Sequence, residues 1–370
     1  MAHAGSGNRL IELDVTRGLA AVVVFFCHVF ALDLQVCGRD SIRCNSDSML
    51  FHLFDGAAAV DFFFVLSGLV LSLAYLDGSA KSIAVDSFVL RRFIRIMPTY
   101  WACLALSQAV RAATSSYVSG PAGDLIDWSQ AVSTHQFIAH WALIFGRLNT
   151  VLIDGPIWSL AVEMKLSLLL PLVIAALQPT QSIAGCAAVL IVTCCVGLGS
   201  QGSFSFMPLF VLGALLARYK MDLVRSLRIA PRRTRLVLVA VACALFWNRV
   251  VYSRRGPGDP LQDWMSGAAA GIFLLHVLAG LYPLTLTNNF ITRFLGRISY
   301  SFYLIHLPIF YATTIALRAR GVGPILIFPV AAGTVLAGAT ALYTLIESPS
   351  VTLGRWLMRH HTQQPNVLES

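Results

Sequence analysis

Between residues 12 and 345 the chain is a succession of apolar runs, at 12–34, 56–76, 98–116, 158–177, 182–199, 204–218, 235–252, 264–283, 298–318 and 324–345. Short gaps holding most of the Lys and Arg residues divide them. Nothing else in the sequence restricts the fold as strongly. A run of about 20 apolar residues matches the hydrocarbon thickness of a bilayer, and inside lipid such a segment satisfies its own backbone groups as a helix. The expected fold is all-α: a polytopic integral membrane bundle of about ten transmembrane helices. Composition agrees, since only 12% of the residues are charged, whereas a soluble domain carries about 25%. No repeat or linker divides the chain, so residues 1–350 read as one membrane domain and 351–370 as a tail. The first run is too long for the apolar core of a signal peptide and lacks a small-residue cleavage site, so it reads as a span.

The basic residues set the orientation. Lys81, Arg91, Arg92 and Arg95 crowd the segment 77–97, and seven more lie within 218–235. The positive-inside rule places both segments, and the basic tail, in the cytoplasm. It also explains the formal net charge of +9 without a nucleic-acid partner. An even number of spans must separate the two basic segments, which excludes the weak run 132–146 as a span and leaves it on the outer face. Both termini are then cytoplasmic and the protein is a multi-pass protein of the inner (plasma) membrane. Cys37 and Cys44 share the first loop, as a disulfide if that loop faces an oxidising compartment, and no zinc-ligand spacing occurs.

Ionisable residues inside such runs are costly and mark sites by default. Arg17 and His28 stand eleven residues apart in the first run, so they share a helix face about 16 Å apart along the axis. Arg17 reads either as a snorkelling orientation anchor or as part of a site. In the fourth run, Trp158 sits at the outer interface, while Ser159 and Glu163, four residues apart, share a face one turn inward. This places Glu163 at a depth similar to His28, where a carboxylate would orient the ring and raise its basicity. Lys165 is the competing partner for that carboxylate. Asp61, in the second run, is a third polar candidate, followed by Ser67 and Gly68.

The three arginines at 91, 92 and 95 fit a short amphipathic helix stopped before Pro98. Anchoring explains them, and so does phosphate binding, which suits the guanidinium fork. In the ninth run, Tyr300, Tyr303 and His306 precede Pro308, and His306 has a structural reading as a donor to the carbonyl that the proline frees. Trp128, Trp141 and Trp158 fit either an aromatic belt or stacking on sugar rings.

Taken in order, these segments resemble the acyltransferase 3 family of polytopic membrane acyltransferases. The resemblance rests on R-x10-H at Arg17 and His28, FFVLSG at 63–68, RR-x-x-R-x-x-P-x-Y at 91–100, WSL-x-x-E at 158–163 and S-Y-x-x-Y-x-x-H-x-P at 299–308. The chain departs from many members after Glu163, where Met164, Lys165 and a leucine run follow.

The resemblance implies an O-acyltransferase that moves an acyl group, acetyl above all, from acyl-CoA to a hydroxyl of a cell-envelope or secreted glycan or glycolipid. No cofactor or metal is bound permanently on this reading; acetyl-CoA is a substrate. His28, Glu163 and Arg17 are the expected catalytic residues and Arg91, Arg92 and Arg95 the donor-binding ones. Asp61, Ser67, Trp158, Ser159, Tyr300, Tyr303 and His306 support them. A proton-coupled transporter or flippase is the rival, since buried Asp, Glu, His and Arg also form relays. Dependence on acyl-CoA separates the two.

Overall fold

In a computed structural model the chain is described over residues 5–36, 53–76, 84–117, 126–143, 148–178, 182–200, 202–251, 259–282 and 289–361. Among these residues 87% are helical and no strand occurs, which is how apolar segments satisfy their backbones without water. The helices are α1 (Gly5–Val36), α2 (Gly56–Leu76), α3 (Val85–Thr114), α4 (Thr134–Ala142), α5 (Ile157–Leu177), α6 (Ile183–Gly199) and α7 (Met207–Arg218). Then follow α8 (Lys220–Ile229), α9 (Arg232–Phe246), α10 (Asn248–Val251), α11 (Pro260–Leu278), α12 (Phe290–Ala319), α13 (Pro324–Leu342) and α14 (Ser348–His361). A π-helical turn, Tyr343–Glu347, joins the last two.

By length and apolarity, five helical stretches can cross a bilayer: Ile11–Ala31, Gly56–Leu76, Ile157–Leu177, Phe290–Ala319 and Ile325–Leu357. A sixth arises if the pair Ser203–Arg218 and Lys220–Ile229, bent by 73°, is one broken span. The run at 132–146 yields only the nine residues of α4, about 14 Å of helix and too short to span. The loop bearing Cys37 and Cys44 lies outside the described residues; the six described cysteines are free thiols.

The helix expected to stop before Pro98 does not stop. α3 runs 30 residues with Pro98 inside it, because neighbouring groups in a bundle can satisfy the backbone that a proline disrupts. Arg91, Arg92 and Arg95 therefore belong to one long helix rather than to a separate surface element.

Chain contacts divide the molecule into two compact units, Met1–Ser82 with Ser159–Ser299, and Ile83–Trp158 with Tyr300–Ser370. In the first, α2 and α7 cross at backbone distance. A Cβ on Gly68 would overlap the Phe210 carbonyl, and one on Gly213 would overlap the backbone of Val65 and Leu69. Small residues permit such approach where lipid gives helices no hydrophobic drive to associate. Phe64 and Phe210, both fully buried, pack beside this crossing. A second crossing joins α1 to α12, where a Cβ on Gly18 would lie 2.5 Å from the Gly296 nitrogen.

The second unit is built on buried Tyr100, Leu104 and Ile126. Pro308 interrupts the hydrogen-bond ladder of α12 and frees the Leu304 carbonyl, which the Cys103 thiol reaches at 3.2 Å. α14 extends into the tail, and its Gly354 packs on Ile94 of α3.

Candidate functional site

In the first unit the Ser67 hydroxyl donates to Glu163 Oε1 at 2.9 Å, joining α2 to α5 across 96 positions of sequence. Two of the motif segments thus meet at one bond. Ser67 is seated firmly because the next residue, Gly68, is locked against Phe210. Glu163 is half-buried, and Ser159, one turn before it, is buried. Lys165 lies about 200° round the helix from Glu163; the carboxylate's partner from α2 is a hydroxyl.

His28 is half-buried on α1. The residue before it, Cys27, touches the first residue of α2, since a Cβ on Gly56 would lie 2.8 Å from the Cys27 sulfur. Phe26 and Phe54 stack at 4.9 Å beside this contact. α1 and α2 are consecutive, pack along each other and meet where one ends and the next begins, so they run antiparallel. Ser67 lies eleven residues along α2 from Gly56, about 16 Å by helical rise. Glu163, bonded to Ser67, shares that level.

Arg17 lies ten residues back from Cys27, about 15 Å along α1. Arg17 is half-exposed and its guanidinium bonds Asp14 Oδ1 at 2.9 Å, on its own helix.

Asp61 belongs to a different cluster. Six residues before Ser67, it lies about 240° round the helix from it. Its side chain, 1% exposed, accepts from Arg249 at 3.0 Å. Arg249 also binds the carboxylate of fully buried Asp263 and the Ser266 hydroxyl at 2.8 Å, with Asp55 at 3.7 Å. Asn248 donates to the same serine at 2.9 Å. At the mouth of α2, burial raises the Asp55 carboxyl above its ordinary value, and the charge of Arg249 partly offsets this.

In the second unit, Arg91 and Arg95 are exposed and Arg92 is buried. Arg91 donates to the Ser87 carbonyl one turn back at 3.0 Å. The exposed pair shares a face four residues apart, while Arg92 turns inward. Trp158 is half-buried. Tyr300 donates to the Ile96 carbonyl at 3.0 Å and Tyr303 to the Pro156 carbonyl at 3.4 Å. His306 is fully buried with Nδ1 at 2.7 Å from the Tyr303 carbonyl. The carbonyl freed by Pro308 is that of Leu304, and Cys103 rather than His306 takes it.

Trp128 is buried, donates to the Ile153 carbonyl at 3.0 Å and packs edge-on against Tyr311. It serves the core and is withdrawn from any sugar. Burial also lowers the basicity of His140, whose Nδ1 faces the Gln136 carbonyl at 2.6 Å. Asp154, just ahead of α5, is fully buried. It contacts the Cys103 thiol at 3.8 Å, and burial pushes its carboxyl well above the ordinary value.

Arg249 and Asp154 were missed in the sequence. A cation inside the apolar run 235–252 was the available signal for the first; an acid bordering the WSL-x-x-E motif was the signal for the second. Among the described residues no group of three His, Cys, Asp or Glu side chains has the geometry for a metal ion.

No curated protein and no solved structure matches the chain. The profile described as an acyltransferase domain matches residues 10–344 and so takes in Arg17, His28, Ser67, the three arginines of α3, Glu163 and His306. By that match the chain belongs to the acyltransferase 3 family of membrane acyltransferases.

Proposed function

We propose that the protein transfers an acetyl group from acetyl-CoA to a hydroxyl of a cell-envelope or secreted glycan. The observation that carries this reading is the family match over residues 10–344. Ten spans with both termini in the cytoplasm, in the inner membrane, follow from the basic gaps, with the shorter or more polar helices α3, α6, α9 and α11 crossing beside the longer apolar ones.

In the proposed reaction His28 is the general base. The acceptor oxygen attacks the thioester carbonyl carbon as the imidazole removes its proton, and the carbon–sulfur bond breaks. The imidazolium returns the proton to the leaving thiolate, so the reaction has no net proton change. Such transfer contributes about 10² to 10⁴ in rate. Arg91, Arg92 and Arg95 bind the donor's phosphates through their forks. Tyr300 and Tyr303 tie α12 to the Ile96 and Pro156 carbonyls, and His306 faces the Tyr303 carbonyl on its own helix.

The test uses membranes containing wild type or His28→Ala, given radiolabelled acetyl-CoA and host glycans, with label followed into an alkali-labile ester. Label with wild type and none with the variant is the expected result. Full labelling by the variant sinks the base, and no label with either sinks the donor reading in favour of transport.

A further inference from the structure

The tail helix α14 brings a further arginine to the face of α3 that carries Arg91 and Arg95. Within the second unit, Ile96 and Cys103 of α3 meet Tyr300 and Leu304 of α12 in that order, so these helices run in the same direction. Thr313 pairs with Thr334 and Ser301 with Glu347, so the chain runs back through α13 and the π-helical turn. α14 continues that course within the stretch Ile325–Leu357 and is therefore antiparallel to α3. Its seat is Gly354, where a Cβ would lie 3.2 Å from Ile94 Cγ2.

Arg91 and Arg95 stand about 60° and about 100° round α3 from Ile94, in the same sense, and Arg355 about 100° round α14 from Gly354. Because the helices are antiparallel, these rotations turn all three positions to one side of the pair. Arg91 and Arg355 are exposed, and each spends its Nε on a carbonyl of its own helix, Ser87 at 3.0 Å and Val351 at 3.4 Å. Neither makes an ion pair among the described residues. Guanidinium groups gathered in this way suit a phosphate, which their forks bind bidentately. Leu353 and Trp356 are exposed on other faces of α14, and a tryptophan beside apolar residues marks the membrane–water boundary, where a soluble anion can reach Arg355.

Resting on the proposed donor, we infer that Arg355 completes, with Arg91 and Arg95, the site for its nucleotide phosphates. Arg92 turns inward, and α14 supplies the third outward guanidinium in its place.

The measurement is binding of free coenzyme A to purified full-length protein in nanodiscs of zwitterionic lipid. Arg355→Ala is expected to weaken binding about tenfold, and Arg355→Lys less, because it keeps the charge and loses the fork. Arg320→Ala, which removes the same charge just beyond the other end of α12, should keep wild-type affinity. Thermal melts of all three variants should match wild type.

Equal affinity in wild type and Arg355→Ala overturns the inference and leaves the proposed donor standing. An equal loss in Arg320→Ala also overturns it, since net charge then accounts for the effect. So does an Arg355→Ala variant that binds coenzyme A normally but loses the stabilisation phosphatidylglycerol gives wild type, because the phosphate is then a lipid headgroup's. If wild type does not bind coenzyme A, the donor reading itself fails and the inference falls with it.

Discussion

Asp61 and Asp154 are both hidden from solvent, one in each unit, and the chain surrounds them in different ways. Asp61, 1% exposed, faces a guanidinium at 3.0 Å that also serves Asp263 and Asp55. Asp154, fully buried, has a thiol at 3.8 Å; one oxygen of each acid has no hydrogen-bond partner among the described residues. A buried charge either finds a counter-charge or gives up its ionisation. The first acid faces a counter-charge, whereas the second has none beside it and burial raises its carboxyl well above the ordinary value. The lesson is that a buried carboxylate in such a bundle does not by itself announce a site; its partner tells which solution was used.

The comparison breaks most visibly at Arg249. Arg249→Met leaves three carboxylates without their cation, and removing one partner from a buried ion pair costs about 3–5 kcal/mol. Near-complete loss of monodisperse protein on detergent extraction is expected, and normal yield would show that the cluster is not held by charge. Asp61→Asn should cost less, about 1–3 kcal/mol, because Asp263 still engages the guanidinium; a thermal melt in detergent measures it.

Asp154→Asn should change stability by less than about 1 kcal/mol at neutral pH, since burial favours the uncharged acid that the amide resembles. A loss as large as that of Asp61→Asn would show that Asp154 is ionised and that the contrast is false.

The pH dependence sharpens the point. A carboxyl raised in the folded state holds its proton after the unfolded chain has released its own. Its stabilising contribution is full below the ordinary aspartate value of about 3.9 and declines as pH rises toward the raised value. Melts from acid to neutral pH should show this decline in wild type, and Asp154→Asn should flatten it. A small effect, about 1 kcal/mol, is expected in a thermal melt for Cys103→Ala, from loss of the thiol that caps the Leu304 carbonyl.

Much of this was legible in the sequence, in a definite sense. Apolar runs gave helices, and the motif residues Ser67 and Glu163, singled out separately, proved to touch. What sequence patterns do not encode is lateral neighbourhood. Asp61 and Arg249 stand 188 positions apart, and neither periodicity nor depth says that α2 and α10 meet. Pro98 misled for a related reason: a proline rule learned where water competes for the backbone overstates the break where neighbouring helices can repair it.

The crossing of α2 and α7 has a mechanical consequence. With Gly68 against the Phe210 carbonyl and Gly213 against Val65 and Leu69, neither helix can slide by even one residue without driving a side chain into backbone. Any motion in a catalytic cycle must carry the two as one rigid rod. The Ser67 hydroxyl, next to Gly68, then shifts only when α7 shifts with it.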